Sequence, residues 1–160
     1  MSRKLALAVV LSHLIACATV WAADAQTGNW KINVAKSHYK TATPPMSQMV
    51  AIAPQGKDGV KVTVVAINAK GEKLTVEYAA QYDGKEYPRT ETGAGAVAGQ
   101  TVSLKRIDAR TTERVTYLKG KKLGTEKWEI SSDGKTRTVT QSGVGPDGKP
   151  VDNLLIYEPQ

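Results

Sequence analysis

The chain has 160 residues, 41% of them hydrophobic and 23% charged, which is the size of one domain and too apolar for an unfolded one. Its formal charge is +7. A single cysteine can form neither an intrachain disulfide framework nor a cysteine-ligated zinc site.

The first residues read as an export leader. Arg3 and Lys4 precede an apolar run from Leu5 to Ala18, and the small residues of Val20-Trp21-Ala22 and Ala23-Asp24-Ala25 suit signal peptidase. The run is too short to cross a bilayer, which takes about 20 apolar residues, so no transmembrane span is expected. Residues 1–22 are expected to be removed, with cleavage as late as residue 25, leaving 23–160 as a single β-barrel domain. The protein would then be periplasmic or secreted. The alternative is a lipobox, Leu14-Ile15-Ala16-Cys17, which would make the protein a lipoprotein anchored through Cys17. Ordinary cleavage takes Cys17 and His13 with the leader, and His38 is the histidine that remains.

Beyond the leader, turn signals recur every 11 to 14 residues, among them Asp58-Gly59, Gly71, Asp83-Gly84, Gly120, Asp133-Gly134 and Asp147-Gly148. Such residues supply the positive φ of tight hairpins. Between them lie runs rich in Val, Thr, Ile and Tyr that alternate in polarity. Leu74, Val76, Tyr78, Ala80 and Tyr82 share one face, and Lys73, Thr75, Glu77 and Gln81 the other. About ten strands follow, from Trp30–Val34 to Val151–Glu158, and no window carries a helical period. The fold class is all-β, an antiparallel up-and-down meander closed into a barrel or flattened barrel. A β-sandwich is the alternative, although its longer crossing connections are missing. Two connections are long, residues 36–47 with Pro44-Pro45, and the glycine-rich residues 93–100.

Candidate binding residues follow from strand parity. Tyr78 and Tyr82 project from an apolar face. Arg106 is in phase with Val102 and Leu104, so it either meets an anionic ligand or buried carboxylate, or reaches water at the rim. Trp128 shares a face with Ile130 and is expected in the core. Residues 101–137 hold ten Lys and Arg against five acids. Lys105, Arg114, Lys127 and Arg137 are expected to form a basic face for an anionic envelope surface, either lipid or polysaccharide. Nucleic acid is not an expected partner, because stacking aromatics are sparse and export removes the target.

Enzymatic chemistry finds little support. Ser37 and His38 are adjacent in an extended segment and point to opposite sides. One histidine without cysteine makes no zinc site, and no cofactor is expected. Gly143-x-Gly145-x-x-Gly148 matches a dinucleotide fingerprint by letter, but Pro146-Asp147-Gly148 is turn chemistry and no helix follows to hold a pyrophosphate. It reads as a hairpin.

Gly28-Asn29-Trp30 at the first strand and Ile156-Tyr157-Glu158 at the last resemble the termini of lipocalins and fatty-acid-binding proteins, the calycins. The chain is also similar to small, mostly uncharacterised exported bacterial β-proteins that open with Gly-x-Trp-Lys-x-Asn. The resemblance implies that Trp30 plugs the closed end of a barrel whose lumen takes a small apolar or amphipathic molecule. It also marks two departures: Leu155 stands where fatty-acid-binding proteins place the arginine of a carboxylate clamp, and a proline-containing segment replaces their two-helix lid. Two functions are therefore expected: non-enzymatic binding of such a ligand, or, alternatively, a structural or interaction module of the envelope that uses its basic face.

Overall fold

Alternating Val and Thr runs, broken by glycine turns, become eleven strands among residues 24–160, which are those described by the computed structural model. The leader expected at residues 1–22, with Cys17, lies outside the described residues. The strands are β1 (Gly28–Ile32), β2 (His38–Tyr39), β3 (Ser47–Pro54), β4 (Gly59–Ile67), β5 (Lys73–Gln81) and β6 (Tyr87–Gly93). They continue with β7 (Gln100–Arg106), β8 (Thr111–Leu118), β9 (Lys121–Ile130), β10 (Arg137–Val144) and β11 (Pro150–Pro159). A 3-10 turn, Val34–Lys36, separates β1 from β2. It is capped by the Asn33 side chain, which accepts from the Lys36 N–H.

Each strand pairs antiparallel with its ring neighbour, in the order β1-β3-β4-β5-β6-β7-β8-β9-β10-β11. β1 also pairs with β11 through Trp30↔Pro159, Lys31↔Glu158 and Ile32↔Tyr157, which closes the sheet. The result is a closed ten-stranded barrel rather than a sandwich, in which the edge strands β1 and β11 pair with each other and only the part of β11 that runs past β1 keeps a free edge. The two-residue β2 stands outside the ring count and pairs with Asn153 and Leu154 of β11. It occupies the segment where the sequence suggests only a proline-containing connection.

Turn chemistry works as the sequence implies. At the β8–β9 hairpin Lys119 (φ 50) and Gly120 (φ 76) are both left-handed, the type I′ geometry that matches strand twist. Gly143 does a different task. Its φ is 129, and a Cβ there would lie 2.4 Å from the Leu123 carbonyl oxygen and 2.6 Å from the Gly124 Cα. Gly143 pairs with Gly124, so β9 and β10 approach closely because neither carries a side chain.

The interior has two unlike halves. At the end where β1 begins, Trp30, Ile52, Val60, Ala80, Val102, Leu104 and Ile130 are all buried and form a solid apolar core. Residues 24–27 fold across that end. Gln26 is wholly buried and donates from Nε2 to the Arg110 carbonyl (2.9 Å), while Trp30 Nε1 donates to the Gln26 carbonyl (3.2 Å). Toward the other end, inward positions change from valine to arginine, glutamate and glutamine, and the packing opens.

Candidate ligand-binding site

Parity fixes which side chains enter the open half. On β4 and β5 the inward positions are Val62, Val64, Val76 and Tyr78, with Val50 from β3, and they make one apolar wall. The facing wall is charged. It takes Arg89 from β6, Arg114 from β8, Glu126 and Trp128 from β9, Arg137 and Gln141 from β10, and Tyr157 from β11. Between the walls is a cavity of about 180 Å³. A second space of about 370 Å³ continues toward the mouth, with Leu74, Arg89, Arg114, Glu126 and Gln141 lining both.

The charged wall is ordered by hydrogen bonds. Glu126 pairs with Arg114 and accepts from Trp128 Nε1 (2.8 Å) and Gln141 Nε2 (2.7 Å). Asn153 in turn donates to Gln141 Oε1 (3.0 Å). Burial alone would raise the Glu126 carboxyl, but the Arg114 guanidinium and these donors outweigh it and hold the group below the usual carboxylate range. Arg89 pairs with Glu91, whose other oxygen accepts from the Val97 N–H (2.9 Å). Both carboxylates thus have an arginine of their own.

Arg137 differs from its neighbours. It is 2% exposed, yet its side chain makes no hydrogen bond and no ion pair with any described residue, and its Nε and Nη1 lack partners. Its guanidinium carbon lies 4.3 Å from the centre of the Trp128 ring and 5.8 Å from that of Tyr157. Burial lowers its pKa, although a guanidinium still carries its charge at any ordinary pH. The Nε atoms of Arg89 and Arg114 are also unmet.

The residues expected from sequence separate into three places. Tyr78 lines the cavity, and its hydroxyl lies 3.5 Å from Arg114. Tyr82 and Arg106 do not line it. They meet at the closed end, where Arg106 stacks on Tyr82 at 4.0 Å and both bind Asp24. The Asp24 carboxylate accepts from Arg106 (2.8 and 3.1 Å) and from the Tyr82 hydroxyl (2.8 Å). Arg106 is exposed, as the rim alternative has it, and the carboxylate it meets there is the chain's own Asp24. Trp30 is 3% exposed and lies beneath residues 24–27 at that end.

The expected basic face needs correction. Lys105 and Lys127 are exposed, as read. Arg114 and Arg137 are buried inside the barrel, because they occupy the same strand parity as the lumen residues Thr112 and Val139. On the outer surface, Lys105 and Lys127 flank Glu113 across strands β7–β8–β9, so that face alternates in sign. Arg89, Glu91, Glu126 and Gln141 were not singled out from sequence. Glu126 is in phase with Trp128 and Ile130, which is the signal that could have placed it inside. Gly143–Gly148 spans a hairpin between β10 and β11, as its turn chemistry implies.

No protein-family model and no curated protein matches the chain. Among solved structures, a crystal structure of a mutant of the fluorescent protein UnaG matches with a TM-score of 0.56. The match covers 85% of this chain and 96% of that one at 16% identity. The fold is calycin-like. At that identity the likeness concerns the barrel alone, and within it this chain follows its own pattern. Leu155 does point inward, 4% exposed, where fatty-acid-binding proteins carry a clamp arginine. The arginines of this lumen come instead from β6, β8 and β10.

Proposed function

We propose that the protein is an exported, non-enzymatic barrel that binds a small apolar or amphipathic molecule in its lumen. The observation that carries this reading is the unfilled half of the barrel: a cavity of about 180 Å³ opening into about 370 Å³, with valines on one side and arginines on the other. A barrel serving only as a structural module has no need of that space, since packing voids cost stability. The calycin-like fold supports binding in the lumen. Export to the periplasm or beyond is supported by the leader pattern of Arg3, Lys4 and the apolar run after them. A non-enzymatic role is supported by the commitment of both lumen carboxylates, Glu91 and Glu126, to arginines. The alternative, an envelope interaction module, retains Lys105 and Lys127 but loses Arg114 and Arg137 to the interior.

The test is native mass spectrometry of the protein purified from its own envelope, followed by organic extraction. A co-purifying small molecule, released on unfolding, is the expected result. A ligand-free protein that also fails to bind amphipathic probes added in solution would overturn the reading.

A further inference from the structure

We infer that Arg137 seats the charged head of the ligand, so that the barrel takes an amphipathic monoanion with an oxyanion head and an apolar body. This rests on the ligand-binding reading above and adds the ligand's chemical class. A guanidinium removed from water with unmet donors is expensive unless something pairs with it. Inside the lumen the nearby acids are already taken: Glu91 by Arg89 and Glu126 by Arg114. Three cations face two anions, which leaves one positive charge for an occupant to neutralise. Trp128 covers one face of the Arg137 guanidinium, and Nε and Nη1 remain without partners. Opposite stand Val50, Val62, Val64 and Val76, a surface with nothing to offer a second charge. The fatty-acid-binding-protein clamp position holds Leu155, so this seat lies on different strands.

The experiment is calorimetric titration of the full mature chain with decanoate, decan-1-ol and acetate, repeated for Arg137→Met and Arg137→Lys. Decanoate is expected to bind at least tenfold tighter than decan-1-ol. Arg137→Met should abolish that preference while still binding decan-1-ol, and Arg137→Lys should keep it in part. Equal binding of decanoate and decan-1-ol by the native chain would overturn the seat but leave the ligand-binding reading standing. So would an undiminished preference in Arg137→Met. Acetate binding as tightly as decanoate would overturn the amphipathic body and leave a site for free small anions. Binding of none of the three would overturn the inference together with the reading beneath it.

A separate observation bears on processing. Asp24 holds Arg106 and Tyr82, its carbonyl accepts from the Thr27 N–H (2.9 Å) and hydroxyl (2.7 Å), and the buried Gln26 beside it hangs on this turn. Given export, we infer that processing leaves Asp24 on the mature chain, which excludes the cut after Ala25. Intact mass of protein from the envelope tests it. A chain beginning at Ala23, or at a lipidated Cys17, supports the inference, and one beginning at Gln26 overturns it. An unprocessed chain would overturn it by removing export itself, and its mass differs from all three.

Discussion

Replacing Arg137 with methionine should make the empty barrel more stable. The substitution keeps a long unbranched side chain against Trp128 and Tyr157 while deleting a buried charge. On the cost side stand several kcal/mol of desolvation for a guanidinium inside a protein. The return on Trp128, at 4.3 Å, is about 2 kcal/mol for a desolvated cation–π contact. No ion pair adds to that return, and Glu91 and Glu126 keep their own arginines after the change. The balance favours methionine by about 2 kcal/mol, within the range seen when buried charges give way to packed apolar groups. For a domain of this size that is a rise in Tm of roughly 5–8 °C. Thermal and urea unfolding of ligand-free protein, followed by circular dichroism, would measure it, with an unchanged m-value showing that the denatured state is not at issue. A loss of 1 kcal/mol or more would refute the reasoning. Arg137 would then be a structural member of the lumen network. By linkage, decanoate at 100 times its Kd should stabilise the native chain by about 2.7 kcal/mol, more than it stabilises the variant, and so narrow the difference.

Arg114→Met should do the opposite. It strands Glu126 in the lumen and is expected to cost about 3–5 kcal/mol in urea unfolding, against the gain at Arg137. Asp24→Asn should cost about 1–2 kcal/mol at pH 7, discounted because Arg106 is partly exposed. Although burial would raise the Asp24 carboxyl, its hydrogen bonds from Arg106, the Gln26 N–H and Tyr82 lower it below the usual value. Its contribution is therefore complete above about pH 4 and fades as pH falls through the depressed folded value, so native and Asp24→Asn stabilities should converge in acid. A gap that does not narrow as the pH falls would contradict this. Gly143→Ala places a Cβ 2.4 Å from the Leu123 carbonyl at φ 129 and should cost about 2 kcal/mol; stability within 0.5 kcal/mol of native would show the strands free to part.

The barrel was legible because its signals are local and repeated. Alternation in Leu74–Tyr82 and glycine turns every dozen residues dictate hairpins, and ten hairpin-linked strands close more readily than they stack. The interruption after Ile32 was not legible: Asn33 caps a 3-10 turn, and β2 exists because β11 offers it an edge, a contact more than a hundred residues away in sequence.

The lumen arginines show where composition misleads and parity does not. Counting charge along residues 101–137 treats every cation as solvated, and the basic face drawn that way included two that are buried. Parity alone separates one of them. Arg137 stands two residues before Val139, and that phase points to the interior. Arg114 is harder, because its in-phase neighbours Thr112 and Thr116 are polar while Val115 and Tyr117 make the opposite face look like the core. What decides its place is the register Arg114↔Glu126 across β8 and β9, together with the phase of Glu126 with Trp128. One strand of mixed character thus borrows its orientation from its neighbour. In a barrel, where every strand has two neighbours and one lumen, an arginine, a glutamate and a tryptophan that agree in phase across adjacent strands point to a polar interior. The charge that suggested an external partner is better spent on an occupant within.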